Sequence, residues 1–186
     1  MRFTLEEAAS IREAWLQRWP EFVDYFARVR DLCEAQGVGL AYVRQLRSHR
    51  LRGLVPYTAA CNTFFQGLGA DGAKHALWKV QRACYDPSLG SVLYGCRPVN
   101  FVHDQIIAEV PDGPDPRHAH ACAVELGRVM VDACNEFLPD VPVRCEPCLS
   151  KRWTKKATAV YDAPSGGCLL AWDLARDAKT QAWYAD

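Results

Sequence analysis

Apolar positions recur along this chain with two different periods, and the switches between them mark out its elements. From Thr4 the period is helical: Ala8, Ile11, Ala14 or Trp15 and Arg18 share a face, with Thr4 as cap and Glu6 and Glu7 in the first turn. Pro20 breaks the pattern. A second helical run through Phe22, Val23, Phe26, Val29 and Leu32 is expected to stop at Gly37. Both are expected to be packing helices without chemistry. Between Val38 and Arg52, apolar and basic residues alternate through Tyr42, Val43, Arg44, Arg47, His49, Arg50 and Arg52. They predict a short extended pair or loop with a positive face, and no acidic residue interrupts Gly37 to Val55. The longest helical pattern runs from Pro56, a residue suited to a first turn, to about Tyr85. After a loop, Val99, Phe101 and Val102 on one side and Ile106, Ile107 and Val110 on the other flank His103-Asp104-Gln105. Two runs of β-formers around a tight polar turn predict a hairpin. A helix from Pro116 to Phe137 follows, with Cys122, Leu126, Val129, Met130, Ala133 and Phe137 as its apolar stripe. Val141 to Glu146 alternates like a strand and is expected to return beside the hairpin. The fold class is therefore α+β.

With 186 residues, 49% of them hydrophobic, the chain can build a real core. Basic and acidic residues balance at 22 each, so net charge gives no argument for a nucleic-acid partner and only local clustering can. The charged first residues do not form a signal peptide, and no run is long enough to span a bilayer. A soluble, cytosolic protein is expected, with its nine cysteines reduced. Cys145 and Cys148 have the spacing of a zinc pair, but no second pair follows at a plausible distance.

The hairpin would lift His103 and Asp104 to its tip. A carboxylate there can hold Mg²⁺, a hard cation that wants oxygen ligands. Taken alone the stretch reads as a solvated turn, where Asp is common for its own hydrogen bonds; its neighbours reverse that. Thr58, Asn62 and Gln66 recur every four residues and stack on one helix face, where amides can donate to the minor-groove acceptors that every base pair offers. Gly67, Gly69 and Gly72 would let a backbone or ligand approach this helix, and Lys74, His75 and Lys79 continue it as a basic side. Lys151-Arg152-Trp153-Thr154-Lys155-Lys156 sets an aromatic among cations, a composition that suits phosphate and a stacked base.

Together these residues resemble the C-terminal palm region of a family A (polymerase I-like) DNA polymerase, most similar to phage-type members. Val102-His103-Asp104-Gln105-Ile106-Ile107-Ala108-Glu109-Val110-Pro111 resembles the family's third polymerase motif, V-H-D-E, a hydrophobic run and E-V-P. Asn62 through Lys74 resembles its N-x-P-x-Q-G-x-A-A-D-x-x-K helix, and Ala14 through Phe26 is similar to the segment after the fingers helix. Cys145-Glu146-Pro147 and Trp153 fit the closing strand and tail. The resemblance covers about residues 4 to 156. It implies a palm part over 1–156, with a small antiparallel sheet and a motif-bearing hairpin against several long helices, and a tail over 157–186.

The resemblance further implies two-metal phosphoryl transfer with Mg²⁺. Asp104 would be one metal-binding carboxylate, and His103 would lie near the primer terminus. Asn62, Gln66, Thr58, Arg52 and Lys74 would contact a DNA primer-template, with deoxynucleoside triphosphates as substrates, in the cytoplasm of a bacterium or encoded by its phage. Departures from the pattern are Gln105 for the usual Glu, Phe64 for Pro, Gly69 for Ala, and Thr58 where many members carry a DNA-contacting Arg. The other catalytic aspartate and the nucleotide-gripping fingers helix are expected upstream of Met1. The expected function is thus the lower part of a DNA-directed DNA polymerase, active only with an upstream half. The alternatives are a DNA-binding remnant without chemistry and an idle structural module.

Overall fold

Thr4 caps the first helix in both directions: its Oγ1 accepts from Glu7 N at 3.2 Å and its N donates to Glu7 Oε2 at 2.8 Å. The computed structural model describes residues 3–35, 40–113, 115–163 and 167–173. Gly37, Pro114, Trp183 and Tyr184 lie outside them. The chain divides into two compact units, one reaching Leu68 and the other starting at Gly69.

In the first unit, α1 (Leu5–Arg18) is followed by α2 (Glu21–Glu34), with Pro20 as N-cap. Only α2 packs as expected. α1 buries no residue, because its apolar positions are too sparse to form a face; Leu5 is 91% exposed. Trp15 is its anchor, 4.5 Å from Phe22 between ring centroids. β1 (Leu40–Arg44) and β2 (Leu51–Pro56) pair antiparallel, so the expected extended pair is a hairpin and Pro56 ends a strand. The helix α3 (Tyr57–Tyr85) starts one residue later. Val29 and Cys33 of α2, Ala41 and Val43 of β1, Val55 of β2 and Ala60 of α3 form this unit's core.

The rest of α3 belongs to the second unit. A loop with a 3₁₀ turn at Pro87–Leu89 leads to β3 (Arg97–Val102) and β4 (Gln105–Glu109), the expected hairpin. α4 (Pro116–Asn135) is capped by Asp115, whose Oδ1 accepts from Arg117 N at 3.0 Å. Gly72 has no Cβ where Cys134 of α4 comes close; a methyl there would sit 3.5 Å from the Cys134 Cα. The core joins Val80, Ala83 and Cys84 of α3, Leu93, Cys96, Ile106 of β4 and Cys122 of α4. The expected strand over 141–146 is absent. Val143 and Cys145 do turn inward while Arg144 and Glu146 face out. But Pro142 and Pro147 lack the N–H a ladder needs, and no strand pairs with the segment among the described residues. β5 (Val160–Tyr161) and β6 (Leu169–Leu170) pair instead, and a parallel bridge joins Leu149 to Ala171.

All nine cysteines are free thiols. Burial raises the thiols of Cys84, Cys96 and Cys122, and Cys122, beside Cys96, is pushed up to about 12. The unfolded chain ionises these groups near the ordinary value of 9.0 while the folded one holds them neutral. Their contribution is therefore complete below that value and is lost as pH rises toward 12. Urea melts at rising alkaline pH should show a falling midpoint, and Cys122→Val should shallow the fall. An equal pH dependence in the two proteins would contradict burial of this thiol.

Candidate functional site

The β3–β4 register fixes the hairpin tip. Val102 pairs with Gln105 and Phe101 with Ile106, so only His103 and Asp104 form the loop. A two-residue hairpin loop must match the right-handed twist of its strands, which requires a positive φ. His103 takes it, at 57°. Ile106 is 8% exposed and holds β4 to the core, while His103, Asp104 and Gln105 face solvent. No hydrogen bond or ion pair to either tip side chain is found among the described residues. The backbone thus places Asp104 at the tip, with its carboxylate exposed and unpaired among the described residues. It lines an open groove of about 1650 Å³ walled by β4, by Leu126 and Met130 of α4, and by the segment through Cys145, Lys151 and Trp153.

Mg²⁺ takes six oxygens, and protein sites commonly give it one or two carboxylates, the remainder coming from phosphates and water. Asp104 fits as one such donor. Glu109 cannot join it: five residues of strand put the two about 16 Å apart. Among the described residues no group of three or more His, Cys, Asp or Glu is arranged to hold a metal ion. These residues supply one corner of a metal site and not a complete one.

In the first unit, Thr58, Asn62 and Gln66 are all exposed along α3, and none of their side chains is hydrogen-bonded among the described residues. The β1–β2 hairpin clasps this part of the helix. Gln45, only 2% exposed, donates through Nε2 to the Thr63 carbonyl. Arg52 Nη1 donates to Thr63 Oγ1 at 2.9 Å, and Arg50 Nη2 to the Gly67 carbonyl at 3.3 Å. Gly67 is what admits the clasp, since a methyl there would overlap the Gln45 amide. No acidic residue occurs between Glu34 and Asp71, so the stretch that carries the four arginines from Arg44 to Arg52 and the amide stripe has no carboxylate of its own.

The candidate residues therefore fall into two groups. His103 and Asp104 stand together on the tip in the second unit. Thr58, Asn62, Gln66 and Arg52 stand together in the first, with Arg52 committed in part to Thr63. Lys74 is exposed on α3 beyond the division. Arg50 was expected only as part of a positive face, and Gln45 was not singled out by its sequence context. Period-two alternation from Val43 does place Gln45 inward, and that was the available signal.

The chain is similar to bacterial DNA polymerase I. It is 28% identical over 159 residues to DNA polymerase I of Aquifex aeolicus (strain VF5), an alignment covering 83% of this chain and 25% of that protein. It is 26% identical over 163 residues to DNA polymerase I of Helicobacter pylori (strain ATCC 700392 / 26695), covering 83% of this chain and 17% of the relative. The chain thus spans a quarter or less of the length of these relatives. No family model matches the chain, and no solved structure does. No helix among the described residues is long and apolar enough to cross a membrane.

Proposed function

We propose that this chain is the C-terminal palm part of a DNA-directed DNA polymerase of family A, phage-like in type, working with an upstream part that supplies the second catalytic carboxylate and the fingers. That part is a separate chain or the remainder of a longer one. The observation that carries the proposal is the exposed, unpaired Asp104 at a two-residue hairpin tip, in a chain similar to DNA polymerase I over 83% of its length.

In this function Asp104 gives an oxygen to Mg²⁺ from a tip whose backbone position the hairpin register sets. Bound Mg²⁺ lowers the charge cost of attack by the primer 3′-hydroxyl and of pyrophosphate departure. His103, on the same loop, holds the primer end beside the carboxylate. Asn62 and Gln66 donate amide hydrogens to purine N3 and pyrimidine O2, a contact independent of sequence that suits an enzyme that must accept every base pair. Arg52 and Lys74 meet backbone phosphates, and Thr58 extends the stripe. Residues 1–156 form the palm part, 157–186 its tail.

A DNA-binding remnant without chemistry is favoured by one observation: among the described residues Asp104 belongs to no group of three or more His, Cys, Asp or Glu arranged to hold a metal ion. Both forms of the protein bind a primer-template through α3. Gln66→Ala should weaken that binding about fivefold, the value of one or two neutral hydrogen bonds. Fluorescence anisotropy with a labelled duplex reads it, and unaltered affinity would remove the minor-groove role.

A further inference from the structure

Asp173 is acidic, 7% exposed, and faces the most basic stretch of the second unit. Its carboxylate accepts from Lys151 N at 3.0 Å through Oδ1 and 2.9 Å through Oδ2, and from Arg152 N at 3.2 Å. Ser150 Oγ approaches Oδ2 at 3.4 Å. Two consecutive backbone N–H groups turned onto one carboxylate fix the local backbone, with bonds strengthened by the charge. The segment that carries Asp173 is itself tied down. Trp172 N donates to the Leu149 carbonyl at 2.8 Å, Leu169 is 2% exposed, and Leu169 N donates to His120 Nδ1 of α4 at 2.9 Å.

The loop so held presents charge and an aromatic outward. Lys151, Arg152, Lys155 and Lys156 are exposed, and Trp153 is 56% exposed. Lys151 and Trp153 line the groove that Asp104 also lines. Lys151 Nζ bonds Asp112 Oδ2 at 2.9 Å, but both side chains are at least half exposed, so a phosphate can replace that partner at little cost. Cations bordering an accessible indole are the ingredients of a strand-binding rim, where phosphates meet the cations and a base stacks on the ring.

We infer that Asp173 is a positioning residue, which shapes the Ser150–Trp153 loop into a nucleic-acid-binding rim of the Asp104 groove. The inference rests on the nucleic-acid function proposed above. It makes a prediction of unusual sign. As a charge, Asp173 repels a polyanion, so removing it should tighten binding; as the support of the rim, removing it should weaken binding.

The test uses the full chain and a fluorescein-labelled primer-template duplex, with anisotropy titrations over a range of salt. Asp173→Asn should weaken binding about fivefold, the low end of one base stack. Lys151→Gln with Arg152→Gln should flatten the logarithmic salt dependence by about 2, near 0.9 per phosphate contact. Adding Asp173→Asn to Trp153→Ala should change nothing further, because the support acts through the stacked ring. Unchanged or tighter binding by Asp173→Asn, or full additivity, would overturn the role of Asp173. Lys151 and Arg152 are exposed, and with the fold of that pair checked by circular dichroism an unchanged salt dependence overturns the rim even if Asp173→Asn does not fold. If the unaltered chain binds no duplex, the nucleic-acid function itself falls, an outcome distinct from the others.

Discussion

In the proposed function, Asp104→Ala abolishes primer extension by this chain together with its upstream part, lowering the rate by about 10³-fold or more, since loss of the proposed metal ligand forfeits several kcal/mol of transition-state stabilisation. Binding of the primer-template should be nearly unchanged. The side chain bonds nothing among the described residues, and the hairpin is held by its ladder and by Ile106 and not by its tip. Asp104→Asn, which keeps the shape and loses the charge, should be almost as inactive. Steady-state extension beside duplex affinity checks both. If Asp104→Ala lost DNA binding with its fold intact, the carboxylate would be a binding determinant and its metal role would be wrong.

Gly67→Ala is expected to destabilise the chain by about 1–3 kcal/mol, although Gly to Ala inside a helix ordinarily stabilises by about 1 kcal/mol. The added methyl overlaps the Gln45 amide. That amide is the free end of a side chain, yet it cannot simply swing aside, because it is buried and bonded to the Thr63 carbonyl. Moving it breaks a buried hydrogen bond and forces the β1–β2 hairpin away from α3. Gly69 is the internal control. It lies in the same helix, nothing is within 4 Å of its missing Cβ, and Gly69→Ala should stabilise by up to about 1 kcal/mol. Urea unfolding of the two variants reads the signs directly. Stabilisation by both would show that the clasp is not needed to hold the helix.

The hairpin was legible because β-formers flank a short polar gap, His103-Asp104-Gln105; its register was not, since Gln105 joins the second strand opposite Val102 and only two residues form the loop. The α3 stripe was legible too, since spacing alone puts Thr58, Asn62 and Gln66 on one face. The Val141–Glu146 segment shows where local pattern fails. From Pro142 its side chains alternate as a strand's do, though Val141 is exposed; a strand also needs a partner and free N–H groups, and alternation reports neither. α1 was read correctly at its cap and wrongly in its packing, because a cap is set by four residues and burial by whatever else the chain brings near. The Gln45 clasp joins residues 18 apart and the Asp173 support residues 21 and 22 apart. Such contacts between hairpin and helix or tail and loop have no local signature beyond a polar residue at an inward position.

Magnesium-dependent primer extension, first with this chain alone and then with a separately made upstream part of a family A polymerase, tests the central claim most directly. Asp104 stands about 16 Å from Glu109, and Asp71 is buried within α3, so neither can complete a clamp whose two ions lie about 4 Å apart. The chain alone should therefore be silent, and both parts together should extend the primer. Extension by the chain alone would contradict the account, because a carboxylate within these residues would then be completing the site. Silence from both together, with duplex binding retained, would contradict the polymerase function and leave the DNA-binding remnant in its place.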